Sequence, residues 1–232
     1  MRGMWSANVA ETEKKATHRM RRESQSHVDR GLKRVLSIPR AYQMLGRLLV
    51  RRQTVLRHVT DFIRPFPGCR ILDIGCGPAD ILDSLPTTIG EYVGFDMNFR
   101  YIEAARRRWG ARGRFIQQEV REATVVERDY YDRVLATSIL HHLDDQESSH
   151  LFRLAREVLR PGGTLITYDN VLLERQHWFA RFLIQQDRGR CVRTVEGYRQ
   201  LARSCFQDVE GAVLHDTLRV PYSIWVMICR KP

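Results

Sequence analysis

The run Ile71 to Asp80, ILDIGCGPAD, is an apolar strand with an acid near its end, a glycine-rich turn and a helix start. Glycines in such a turn let bare backbone approach a bound nucleoside without a Cβ in the way. A second acid, Asp96, ends the next apolar segment, YVGFD. It lies about 20 residues beyond the loop, where a dinucleotide-type fold presents a carboxylate to ribose hydroxyls. Together the two features predict a nucleoside-cofactor protein with enzymatic chemistry.

The elements that must position these groups alternate along the chain. A helical pattern runs from Val28 to Ile63, with a break at Pro39, and Pro65 to Gly68 ends it. Strands are predicted at Arg70 to Ile74, Tyr92 to Asp96, Gly113 to Gln117, Asp132 to Thr137 and Thr164 to Tyr168. Between them lie helices beginning at Asp80 and spanning Phe99 to Trp109 and Gln146 to Leu159, the last capped by Asp144 or Asp145. Strands separated by helices make parallel β-α units and a doubly wound sheet. After a helix at Thr194 to Cys205, two closely spaced strands, Phe206 to His215 and Tyr222 to Cys229, favour an antiparallel pair.

Composition narrows the class. Hydrophobic residues make up 43% of the 232, enough for a proper core. No apolar run reaches the length of a membrane span or a signal-peptide core, so the expectation is a soluble cytoplasmic protein. Five dispersed cysteines, with no C-x-x-C pair, argue against a disulfide framework and a zinc site. Residues 1–58 hold 14 basic and 4 acidic side chains, while the remainder is nearly balanced. This basic segment reads as a solvated helical arm, with RNA or an anionic surface as the competing partner. The predicted organisation is a basic N-terminal helical extension or lid over 1–64 and a catalytic domain over 65–232.

The motifs ILDIGCGPAD, VGFDMN, RFIQQEV, DRVLATSILHHLDD and LRPGGTLITYD, in this order and spacing, resemble the class I S-adenosylmethionine-dependent methyltransferases. The resemblance covers roughly Tyr42 to Arg230. It implies a Rossmann-like, seven-stranded, mostly parallel sheet whose C-terminal strand is antiparallel. It also implies S-adenosyl-L-methionine as cofactor, with S-adenosyl-L-homocysteine as product. By this resemblance Asp73, Gly75, Cys76 and Gly77 form the loop that holds the amino-acid end of the cofactor. Asp96 takes the ribose hydroxyls and Met97 packs on adenine. Glu119 and Val120 follow the third strand near the adenine amino group, with Glu where Asp is more usual. Thr137 and Ser138 end the fourth strand close to the reactive methyl. The sequence departs from the family loop GxGxG in having Ala79 as its third small residue, and it lacks the NPPY or DPPY motif of many base methyltransferases.

Methyl transfer from a sulfonium is a displacement in which the protein supplies mainly positioning and water exclusion. An oxygen or protonated nitrogen acceptor also needs a proton acceptor. His141 and His142, directly after the fourth strand, are the candidates, with Asp169 at the end of the fifth. Tyr168 and Asn170, also at the end of the fifth strand, line the expected substrate side. Tyr42 reads as part of a lid, and His177 and Trp178 lie on an insertion that suits a substrate cover. The leading reading is methyl transfer to O, N or C of a small biosynthetic molecule. The alternatives are an RNA or protein methyltransferase anchored by the basic arm and a non-catalytic cofactor-binding partner subunit. The oxidoreductase reading is weakened by the absence of Y-x-x-x-K and of the third glycine of G-x-G-x-x-G.

Overall fold

The computed structural model describes residues 52–119, 127–174, 176, 191–215 and 223–232. The first element, α1 (Arg52–Arg57), continues as a π-helical segment, His58–Ile63. Its last turn closes through the Arg64 amide on the Val59 carbonyl, with Arg64 left-handed at φ 48° just before Pro65. The strands are β1 (Arg70–Ile74), β2 (Glu91–Asp96), β3 (Arg114–Gln117), β4 (Tyr131–Thr137), β5 (Leu159–Leu172), β6 (Arg193–Thr194), β7 (Asp208–Leu214) and β8 (Ile224–Arg230). The remaining helices are α2 (Phe99–Trp109), α3 (Asp145–Val158) and α4 (Val195–Arg203).

Seven strands follow the order β3-β2-β1-β4-β5-β8-β7, and the two-residue β6 pairs with β5 beside this path. The pairs β1–β2, β1–β4, β2–β3 and β4–β5 are parallel. Only β8 runs against its neighbours, β5 and β7. The doubly wound sheet with an antiparallel last strand is therefore as the sequence implied. The strand order reverses between β1 and β4, which opens a crevice beyond their carboxyl ends.

Residues that alternate along each strand feed two cores. Ile71, Tyr92, Leu135 and Ile166 face the side covered by Val59 and Ile63 of the first helix and Ile102 and Ala105 of α2. Leu72, Ile74, Val134 and Leu165 face Leu151, Phe152 and Ala155 of α3 and Tyr198 and Ala202 of α4. Each large apolar side chain so buried contributes about 1.5–3 kcal/mol.

Two elements depart from the sequence expectation, and the cap of α3 agrees with it. The helix expected from Asp80 is a single 3-10 turn, Asp80–Asp83. Ala79, left-handed at φ 58°, precedes it, and the Asp80 carboxylate accepts from Arg108 at 2.7 Å. The fifth strand begins at Leu159, and Pro161-Gly162-Gly163 forms an irregularity within it, where the β4–β5 register shifts. At α3 the cap is Asp144, in a reciprocal box with Glu147.

Candidate active site

The glycine loop leaves β1 and folds back on the end of β2. The amides of Gly75 and Cys76 both donate to the Phe95 carbonyl, at 2.8 and 3.0 Å. Gly75 and Gly77 have φ of 73° and 54°, the left-handed region that glycine enters without penalty. The Gly77 amide donates to Asp96 Oδ2 at 3.0 Å, and the Asn98 amide donates to Asp96 Oδ1 at 2.7 Å. Asn98 in turn caps α2. Asp96 therefore joins the loop after β1 to the turn after β2. Burial raises its carboxyl above the usual carboxylate range, and the two amides oppose that shift.

Asp73 is buried on β1. Its Oδ2 accepts the Tyr92 hydroxyl at 2.6 Å, and its Oδ1 has no partner. Burial pushes this carboxyl up to about 7; the Tyr92 bond pulls it down, and the Asp96 charge pushes it further up. An unpaired buried carboxylate oxygen next to two left-handed glycines fits a ligand with a cationic end. Open space lies where a Cβ of Gly77 would be. Cys76 is buried between them, and its thiol is held protonated by burial and by Asp73 and Asp96.

Of the other expected cofactor residues, Met97, Glu119, Thr137 and Ser138 lie at or just beyond the ends of β2, β3 and β4. Met97 is 66% exposed beside Asp96. Glu119 is half-buried just beyond β3, where the Gln118 amide donates to the Asp96 carbonyl at 3.1 Å. Thr137 ends β4. Ser138 is left-handed at φ 57°, and its amide donates to the Tyr168 carbonyl at 2.7 Å. Val120, Tyr42, His177 and Trp178 lie outside the described residues.

Beyond the ends of β4 and β5, two candidates meet. Asp169 Oδ1 lies 2.8 Å from His141 Nδ1 and also accepts the His141 amide at 3.2 Å. Both residues are buried, and Asp169 Oδ2 has no partner. A carboxylate at Nδ1 holds the ring proton there and leaves Nε2 as the basic nitrogen. His142 is exposed, its ring 4.1 Å from that of His141. Tyr168 and Asn170 are buried: Tyr168 takes the His58 ring edge-on at 4.8 Å, and the Asn170 carbonyl accepts the Tyr198 hydroxyl at 3.0 Å.

Three contributors escaped the sequence reading. Arg193 holds the turn that carries His141. Its guanidinium donates to the carbonyls of Leu140, Leu143 and Cys191 and to Asp145 Oδ1, while the Cys191 amide donates to the His141 carbonyl at 3.2 Å. Nothing in the local sequence marks an arginine so far along the chain. His58 is buried with both ring nitrogens unpartnered, and burial lowers its pKa to about 4. The third is Tyr92, for which the pattern Tyr92-x-Gly94 was an available signal: a large and a minimal residue on one face of one strand.

Residues 71–163 match the family model of a methyltransferase domain. Ubiquinone biosynthesis O-methyltransferases of Escherichia fergusonii and Escherichia coli are 27% identical over 99 residues, which is 41% of this chain and 40% of theirs. The chain thus spans well under half the length of the curated relatives it matches. Among solved structures, the fold is similar to that of Haemonchus contortus phosphoethanolamine N-methyltransferase 2, in complex with phosphomonomethylethanolamine and S-adenosylhomocysteine. That likeness has TM-score 0.65 and 17% identity, over 78% of this chain and 53% of the other. Human N-acetylserotonin methyltransferase, in complex with S-adenosylmethionine, is similar at TM-score 0.61 and 20% identity, over 83% and 54%. The domain match over residues 71–163 and the methyltransferase relatives support a class I S-adenosylmethionine-dependent methyltransferase domain in this chain. No helix among the described residues is long and apolar enough to cross a membrane.

Proposed function

We propose that this chain transfers a methyl group from S-adenosylmethionine to a hydroxyl oxygen of a small molecule. The observation that carries this reading is the buried pair His141–Asp169, 2.8 Å apart beyond the carboxyl ends of β4 and β5. Bound S-adenosylmethionine supplies a methyl group already activated on a positively charged sulfur. Asp73 and the loop of Gly75 and Gly77 hold its amino-acid end, and Asp96 receives its ribose hydroxyls. Met97 covers the adenine, with Glu119 beside it. Thr137 and Ser138 border the side on which the acceptor approaches.

An uncharged hydroxyl is a poor nucleophile until its proton is taken. His141 Nε2 accepts that proton, and the carboxylate of Asp169 stabilises the resulting imidazolium. The oxygen acceptor accords with the curated relatives, which are O-methyltransferases. A small molecule suits a site whose basic nitrogen sits on a buried ring.

The test is direct. The purified chain is incubated with S-adenosylmethionine and a panel of phenols, catechols, aliphatic alcohols and amines, and S-adenosylhomocysteine is quantified. Turnover with hydroxyl acceptors supports the reading. Turnover confined to amines refutes it.

A further inference from the structure

Tyr92 belongs to β2, yet its hydroxyl crosses to β1. In the parallel register Tyr92 pairs with Ile71, and Asp73 pairs with Gly94. The Tyr92 ring therefore runs diagonally along the sheet to reach Asp73 Oδ2 at 2.6 Å. Space for that ring is built in. A Cβ on Gly94 would come within 3.2 Å of Tyr92 Cε1 and 2.9 Å of Cys76 Cβ. A Cβ on Gly113 would lie 2.9 Å from Tyr92 Cδ1. Phe115 completes the frame, with ring centroids 5.9 Å apart. The tyrosine is 1% exposed, so its hydroxyl has no bulk water to fall back on.

A buried phenol with a carboxylate as its partner stabilises the ionised carboxylate. The other charged and titratable groups that act on this pair are Asp96, Cys76 and Asp80, and Tyr92 supplies the hydrogen bond that opposes the burial of Asp73.

We propose that Tyr92 is a positioning residue for the donor site: its hydroxyl pins one oxygen of Asp73, leaving the other oxygen for the cationic end of the donor. The proposal rests on the reading of Asp73 as a donor ligand. Tyr92 touches no substrate; it acts through Asp73. Because the ionised form binds the cation, donor affinity falls as pH drops through the Asp73 range, near neutrality. Without the phenol, that fall begins at higher pH.

The experiment is calorimetric titration of the full chain with S-adenosylmethionine and with S-adenosylhomocysteine between pH 6 and 8.5. It compares the parent, Tyr92→Phe, Asp73→Asn and the double variant. Tyr92→Phe is expected to weaken binding about tenfold at pH 7.5, as for loss of a hydrogen bond to a charged group, and to move the inflection to higher pH. Asp73→Asn flattens the pH dependence, and adding Tyr92→Phe to it costs nothing further. An unchanged affinity and inflection in Tyr92→Phe overturns the proposal, as does an equal loss in the Asp73→Asn background. Site-specific 3-fluorotyrosine at position 92 keeps the ring in its frame with a more acidic hydroxyl. It should move the inflection to lower pH, and an unmoved inflection again overturns the proposal even if Tyr92→Phe fails to fold. A parent chain that binds neither ligand refutes the donor-site reading itself, whereas tight binding indifferent to Tyr92 refutes only this inference.

Discussion

His141 and Asp169, 28 residues apart in the chain, meet at 2.8 Å through Nδ1 and Oδ1, and the same oxygen also takes the His141 amide. One carboxylate oxygen therefore fixes both the ring and the backbone of the histidine. Asp169→Asn is expected to lower methyl transfer to hydroxyl acceptors by about 10²-fold or more, and His141→Ala by about 10²–10⁴-fold. Calorimetric affinity for S-adenosylmethionine should stay near the parent value in both. A loss confined to donor binding would show that the pair serves the cofactor instead.

Asp96→Ala removes the acceptor for two backbone amides and the proposed ribose contacts. Hydrogen bonds to a charged group contribute about 1.5–3 kcal/mol each, so donor affinity should fall by about 10–100-fold or more. Asp96→Asn should retain part of it, because the amide oxygen can still accept from Gly77 or Asn98. Titration calorimetry on both variants decides the matter.

Arg193→Ala leaves the carbonyls of Leu140, Leu143 and Cys191 without this donor. Thermal or urea unfolding should show a loss of about 1–3 kcal/mol. Arg193→Lys should not restore it, because a point ammonium cannot serve a fork of carbonyls in several directions. Full stability in the lysine variant would refute the clamp.

His58 is neutral when folded, since burial lowers its pKa from 6.5 to about 4. The unfolded chain binds a proton there below about pH 6.5, and the folded chain does not until about pH 4. Stability from this residue is thus intact above pH 6.5 and declines as pH falls towards 4, by up to on the order of 3 kcal/mol. Comparing urea unfolding of the parent and His58→Leu from pH 7 to 4.5 isolates the contribution. Parallel pH profiles would contradict it.

The glycine loop, Asp96 and the helix Phe99–Trp109 were legible in the sequence because each depends on short-range chemistry: left-handed glycines, a strand-terminal acid and an amphipathic period with a basic last turn. The tail hairpin was legible for the same reason, being two apolar strands with a short connection. Ala79 was harder to read. Its left-handed backbone precedes a single 3-10 turn where a helix was expected, and Arg108, 28 residues away, captures Asp80. Pro161-Gly162-Gly163 read as a turn, yet β4 pairs on either side of it, at Leu159 and Thr164, and Gly162 and Gly163 exchange backbone bonds with Lys231. At the site, His141 and Asp169 were each singled out, but their contact depends on β4 and β5 being neighbours. Arg193 and His58 were invisible because their roles come from carbonyls and rings brought near by the fold, not by spacing.

The bond from the Gly77 amide to Asp96 couples two loops before any nucleoside arrives. Much of the ordering entropy of that jaw is consequently spent during folding, and the incoming sugar meets a rigid rim. Each carboxylate oxygen keeps a second lone pair for it. Donor capture should then proceed in a single fast phase, with no slow rearrangement of the cradle to await.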